Sequence, residues 1–184
     1  MFYIVECSYN DPASEAEWNH FYSQEKLPAL ISVSGFRTSQ RFRAVQAGCP
    51  AYLAIHTVEG ADVLSSQDYR LKGGGNFARW QPYISDWHRN LYQCADPAPA
   101  VSPAETLLFS TQPINAIEAE RSYQRLDMQA VGLDNFPQRR MAYVLPREKA
   151  GLLANIPGVH LYAALTVQLQ GSAKDQQRDG VRRQ

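Results

Sequence analysis

The sequence predicts an α+β protein whose first half is a β-α-β-β-α-β unit, and three observations predict it. An amphipathic aromatic stretch near 14–27 lies between two apolar runs that lack helical period. A turn at Gly48-Cys49-Pro50 separates two adjacent strand-like runs, and a glycine-broken helical stretch leads into a run centred on Trp87 and Tyr92.

Taken in order, residues 2–8 read as a buried strand, because apolar side chains succeed one another without a 3.6-residue period. Ser14 and Glu17 have the spacing of a capping box, in which hydroxyl and carboxylate satisfy unpaired backbone N–H groups, so a helix is expected to start there. Trp18, Phe21 and Tyr22 follow at i, i+3 and i+4 and form one apolar stripe, while Glu15, Asn19 and Ser23 face water. Pro28 is expected to end or kink that helix, since its ring removes an N–H and disfavours helical geometry at Leu27. Gly35 permits the turn into Phe36, residues 37–45 form the next strand, and residues 51–58 complete a hairpin with it. Residues 61–69 read as a short helix broken by Gly73-Gly74-Gly75, and residues 86–93 as a fourth strand. That order is the ferredoxin-like one, an antiparallel sheet with two helices on one face.

At these residues the chain resembles the dimeric α+β barrel superfamily and, within it, the EthD-like proteins. Their pattern is an aromatic pair on the first helix, then Glu-His-Leu-Pro, then Gly-Phe and an Arg-rich strand. The counterparts are Trp18, Phe21-Tyr22, Glu25-Lys26-Leu27-Pro28, Gly35-Phe36 and Arg41. The resemblance covers the first half and implies a homodimer around a shared barrel with a small-molecule ligand. Lys26 stands where many relatives carry histidine, so chemistry that depends on that imidazole does not carry over.

Composition is that of an ordinary globular protein, with 45% hydrophobic and 20% charged residues and a formal net charge of +0. No apolar run approaches the roughly 20 residues that cross a bilayer, and no basic-then-apolar leader opens the chain, which points to a cytoplasmic protein without membrane contact. Cys7, Cys49 and Cys94 are odd in number and widely spaced, which suggests reduced thiols rather than disulfides or a zinc site. Balanced charge leaves no footprint for nucleic acid.

Residues 1–95 thus form the first domain, and the Pro/Ala-rich residues 96–104 a connector. Residues 105–170 read as a truncated second repeat. Residues 107–114 align with the first strand, 117–131 with the first helix, and 139–144 with the Arg-rich second strand. Residues 162–167 align with the third strand, 147–155 form a helical insertion, and the second helix and fourth strand are missing. The polar residues 171–184 are expected to be disordered. A sheet covered by helices on one face leaves its other face bare, which is the physical reason to expect a second chain against it.

No contiguous catalytic motif is present, so candidate chemistry is assembled from alternating strand positions. Ile4, Glu6 and Ser8 share one face of the first strand and Tyr52, Ala54 and His56 one face of the third, its expected neighbour. Glu6 and His56 are therefore the candidate acid–base pair, with Arg41 and Arg43 placed to hold a substrate oxyanion. Tyr52, Lys26, Trp18 and Tyr22 complete the candidate ligand contacts, and Tyr69, Phe77, Trp80 and Tyr83 are candidates for a pocket mouth. The competing reading is an ion-pair network without chemistry. No histidine has a second ligand at metal-binding spacing, the glycine run lacks the Lys-Ser/Thr of a phosphate loop, and no cofactor or metal is called for. The functional expectation is a non-catalytic small-molecule-binding or accessory barrel that has lost the histidine at Lys26. Its alternatives are a cofactor-independent isomerase, lyase or oxygenase acting on a small aromatic or carbonyl compound, and a haem-binding barrel.

Overall fold

The computed structural model of the chain describes residues 1–73 and 77–172. Its strands are β1 (Phe2–Tyr9), β2 (Phe36–Ala44), β3 (Tyr52–Val58), β4 (Ile84–Gln93), β5 (Glu105–Ser110), β6 (Arg125–Leu133), β7 (Arg139–Pro146), β8 (His160–Ala164) and the short β9 (Leu169–Gln170). Neighbour order is β3-β1-β4-β6-β7-β5-β8-β2, and β2 pairs back onto β3, so eight antiparallel strands close a barrel; β9 lies along the lower part of β2. The helices are short: α1 (Glu15–Phe21), α2 (Leu27–Ile31), α3 (Gln67–Lys72), α4 (Asn115–Glu118) and α5 (Arg147–Gly151). No described helix is long and apolar enough to cross a membrane.

Strand alternation sorts side chains into separate cores. Phe2 and Ile4 of β1 point into the barrel with Phe42, Leu53, Ile55, Tyr92, Leu107, Phe109 and Tyr162. Tyr3, Val5 and Cys7 point outward and are covered by Trp18, Tyr22, Leu27 and Leu30 of the helical layer. Eight strands leave an interior that side chains just fill. Near Phe2, Gln40 and Phe42 the remaining void is only ≈ 10 Å³.

The helical layer departs from its sequence reading at Ser14 and Pro28, and Asn19 and Ser23, expected to face water, turn instead to the buried Arg41. Ser14 makes no cap to α1; its hydroxyl donates to Asp11 and meets the Tyr9 hydroxyl. Pro28 does not end the helix. Tyr22–Lys26 forms one π-helical turn, in which the Leu27 N–H bonds to the Tyr22 carbonyl, and α2 continues beyond with Pro28 in its first turn. A proline without an N–H is tolerated at a helix start, which is what the π turn provides.

The second half is more complete than its sequence suggested. Residues 125–131, assigned to a helix, belong to β6: Leu126 and Met128 are buried while Asp127 and Gln129 are exposed, a period of two that α4 precedes with a single turn. The strand at 139–146 therefore takes the place of β3 rather than β2, and β8 takes the place of β4. The halves repeat one order, β2-β3-β1-β4 and β6-β7-β5-β8, and join through β4–β6 and β8–β2. The sheet face expected to await a second chain is thus covered by the second half of the same chain. The connector is no free tether either. Val101 is buried at one end of the barrel, where Gln40 bonds both its N–H and its carbonyl, and Thr57 accepts from the Ala98 N–H. Residues 173–184, most of the expected disordered tail, lie outside the described residues, as do Gly74 and Gly75.

At the other end of the barrel Glu6 and Arg140 form a bidentate pair, with Arg140 Nη1 and Nη2 3.0 and 2.9 Å from the carboxylate oxygens. Both are buried, and the guanidinium also lies 4.8 Å from the Phe109 ring centroid. It staples β1 of one half to β7 of the other. Arg140→Met strands a buried carboxylate and is expected to lower unfolding free energy by about 3–5 kcal/mol in urea titration, with Glu6→Gln/Arg140→Met recovering much of it. Equal losses in the single and double variants would show that the charge itself is not what the pairing satisfies.

Candidate active site

The register of β1 with β3 decides which candidate residues meet. Tyr3 lies opposite His56, and Glu6 opposite Leu53. Glu6 therefore points into the barrel and His56 out of it, beneath the helices, and the expected Glu6–His56 pair does not form. The sequence reading placed even positions of both strands on one face, whereas this register matches odd positions of β1 to even positions of β3.

Outside the barrel, β1, β3 and β4 form the floor of a cavity of ≈ 270 Å³ roofed by the π turn, α2 and α3. His56, Tyr3, Val5 and Arg89 come from the strands, Tyr22, Lys26 and Leu30 from the helical layer, and Tyr69 and Gly73 from α3 and its end; Trp87 stands at the edge. His56 is fully buried. Its Nδ1 lies 2.6 Å from the Ser39 hydroxyl on the adjacent strand, while its Nε2 has no hydrogen-bond partner among the described residues. Tyr3 stacks on the imidazole with ring centroids 5.5 Å apart, and Phe36 packs edge-on at 5.3 Å. Burial, reinforced by the nearby Lys26 charge, pushes the His56 pKa down to about 3. The ring is therefore neutral at pH 7, with Ser39 fixing one nitrogen and leaving the other for a ligand.

The other polar groups complement that imidazole. The Tyr3 and Tyr69 hydroxyls are 3.4 Å apart, and the Arg89 guanidinium lies beside both. Burial pushes the Tyr3 and Tyr22 phenols up, so both remain protonated donors. Lys26 sits 4.7 Å over the Phe77 ring and donates to the Gly73 carbonyl at 3.4 Å; burial lowers its pKa.

The remaining candidates support this cavity from behind. Arg41 is buried: it donates to the Asn19 carbonyl, Asn19 Oδ1 and Ser23 Oγ and stacks 4.0 Å from the Tyr22 ring centroid. Tyr52 accepts from Asn19 Nδ2, and Trp18 packs edge-on against it. Arg43 is half-exposed and pairs with Glu15. Of the sequence candidates, His56, Lys26 and Tyr22 line the cavity, and Tyr69 of the expected mouth does too. Tyr3, Arg89 and Ser39 were missed, because the alternation that would have flagged them is informative only once the register is known.

A folded-state pKa of about 3, below the ordinary 6.5, has a consequence for stability. His56 favours the folded state fully above pH 6.5 and loses that contribution as pH falls toward 3, because only the unfolded chain takes up the proton in that window. NMR titration is expected to find the His56 ring neutral down to about pH 4, and His56→Gln to flatten the acid slope of the urea midpoint. A His56 titration midpoint near 6.5 would refute the burial argument.

No protein-family model matches the chain, and no curated protein matches it. Solved structures do. A structure titled as an anthrone oxidase-like protein superposes with a TM-score of 0.55 at 9% identity, covering 94% of each chain. A protein from Lactobacillus acidophilus NCFM, provisionally named a monooxygenase, gives 0.52 at 11%, covering 92% of this chain and 96% of its own. Another so named, from Fusobacterium nucleatum subsp. nucleatum ATCC 25586, gives 0.55 at 10%, covering 93% and 95%. At such identities the likeness is one of fold. The chain shares its α+β barrel fold with these three structures, which carry oxidase and monooxygenase names. Those names run against the expectation of a non-catalytic accessory barrel, which is not carried further.

Proposed function

We propose that the chain is a cofactor-independent oxygenase acting on a small aromatic carbonyl compound with an acidic C–H or phenol, held in the cavity against His56. The observation that carries this reading is a buried, neutral imidazole whose Nε2 has no partner among the described residues, in a cavity lined by a lysine and three tyrosines. Such an oxygenase needs a base to make the substrate a carbanion or enolate, donors for the resulting oxyanion, and exclusion of water. The oxidase and monooxygenase names of the structural neighbours support the same reaction class. The EthD-like resemblance belongs to this proposal: Tyr22, Lys26, Leu27 and Phe36 all lie at or beside the cavity.

In this reading Nδ1 carries the ring proton and donates it to Ser39, so Nε2 removes a proton from the substrate methylene. A base with a pKa of about 3 is weak in the empty site, but the enolate formed beside it offsets the cost of charging the imidazole. The Tyr3 and Tyr69 hydroxyls hold the enolate oxygen. Electrons pass from the carbanion to O₂, a C–O bond forms, and the peroxide takes the proton back from His56. Loss of the remaining C–H proton with O–O cleavage gives a carbonyl and water. The sum, CH₂ + O₂ → C=O + H₂O, needs no outside reductant, because the substrate supplies all four electrons.

Anthrone is a suitable probe. Purified protein is expected to accelerate its conversion to anthraquinone with one O₂ consumed per turnover and one atom of ¹⁸O₂ in the new carbonyl. His56→Ala is expected to lower the rate by about 10²–10⁴-fold with circular dichroism unchanged. A folded His56→Ala protein that retains the wild-type rate would remove the histidine from the mechanism.

A further inference from the structure

Among the described residues, the cavity is lined by two cations and no anion. Lys26 reaches it from the π turn and Arg89 from β4, and no carboxylate is among the residues that line it. Of the buried arginines elsewhere, Arg140 has Glu6, and Arg41, which has no carboxylate beside it, donates three hydrogen bonds to Asn19 and Ser23 and lies against three aromatic rings. Lys26 has one long bond to a carbonyl and a ring face, and Arg89 has the hydroxyls of Tyr3 and Tyr69 beside it. Partly buried cations without a counter-charge are costly, and the cost is relieved when an anion enters between them.

We infer that the cavity selects an aromatic substrate carrying a carboxylate, whose charge is shared by Lys26 and Arg89 while its oxidisable carbon faces His56. This rests on the oxygenase reading of the same site and adds the substrate's charge. The ring system lies among Tyr3, Tyr22, Tyr69 and Trp87, and ≈ 270 Å³ suits two or three fused rings rather than a longer molecule. The carboxylate also accounts for a lysine at this place: an ammonium is a donor-only point charge, which an imidazole at pH 7 is not.

Binding can be measured apart from turnover. Anthraquinone-2-carboxylate and anthraquinone-2-carboxamide have nearly the same shape and differ in charge. Titration calorimetry is expected to give at least tenfold tighter binding of the carboxylate, a preference that shrinks as salt rises. Lys26→Met and Arg89→Met are each expected to reduce that preference about three- to tenfold. Should Arg89→Met misfold, Lys26→Met and the salt series carry the test. Equal binding of both probes, binding of neither at millimolar concentration, or an unchanged preference in folded variants would overturn the inference. Charge-selective binding without oxygen uptake would sink only the oxygenase reading; turnover of anthrone without charge preference would sink only this one.

Discussion

Much of this structure depends on one antiparallel register, Tyr3 opposite His56 and Glu6 opposite Leu53 along β1 and β3. Because strand side chains alternate, that choice sends Glu6 into the barrel to meet Arg140 and leaves His56 beneath the helices among Tyr3, Tyr69 and Lys26. A slip of one residue would bury Tyr3 in a lumen that has no room for it and expose Ile4 to the helical layer. Phe2 and Ile4, both buried among barrel residues, therefore hold the register by burial, and the site follows from it.

Cations show how the same fold separates scaffold from site. Arg140 is stapled to Glu6 across the two halves, and Arg41 is clamped by Asn19 and Ser23 under Tyr22. Removing the partner of a buried charge costs more than the pair contributes, so these contacts fix geometry more than they add net stability. The π turn works alongside them. It absorbs the break that Pro28 would otherwise impose, and it carries both Tyr22 and Lys26 over the cavity. π turns recur at functional sites because the wider turn re-aims side chains without ending a helix.

What the sequence revealed follows from how local each signal is. The strands and helical stripe of the first half were legible because Trp18 and Tyr22 repeat at helical spacing and Gly35 and Gly48 punctuate turns; both glycines have positive φ, 93° and 105°. The second half is harder to read because its place in the repeat points 117–131 to a helix, although Leu126 and Met128, two apart, share one face of a strand and not of a helix. The polar partners Arg125, Asp127 and Gln129 reveal the strand, in ion pairs that Arg125 and Arg139 make with Asp127 along its outer face. Taking 125–131 as helix shifted every later element by one place in the repeat and removed the fourth strand. Lys26, Tyr22 and His56 were visible as residues with chemistry, but their union with Tyr3 and Arg89 depends on non-local pairing that no short window encodes.

The two halves share a strand order yet not a site, and the reason lies in what covers each sheet. In the first half an aromatic helical layer stands off the strands and leaves room above His56. In the second, Leu108, Met141, Tyr143 and Leu145 face Ile114, Ile117, Ala150 and Leu153 and fill that layer with apolar contacts. Tyr143 donates to Glu118 there, so its hydroxyl is already occupied. A barrel made from two identical chains must repeat any site twice; one made from the two halves of a single chain can dedicate one half to packing. The covalent link thus permits a division of labour in which the second half closes the barrel, supplies Arg140 to anchor Glu6, and keeps the register of β1 under His56.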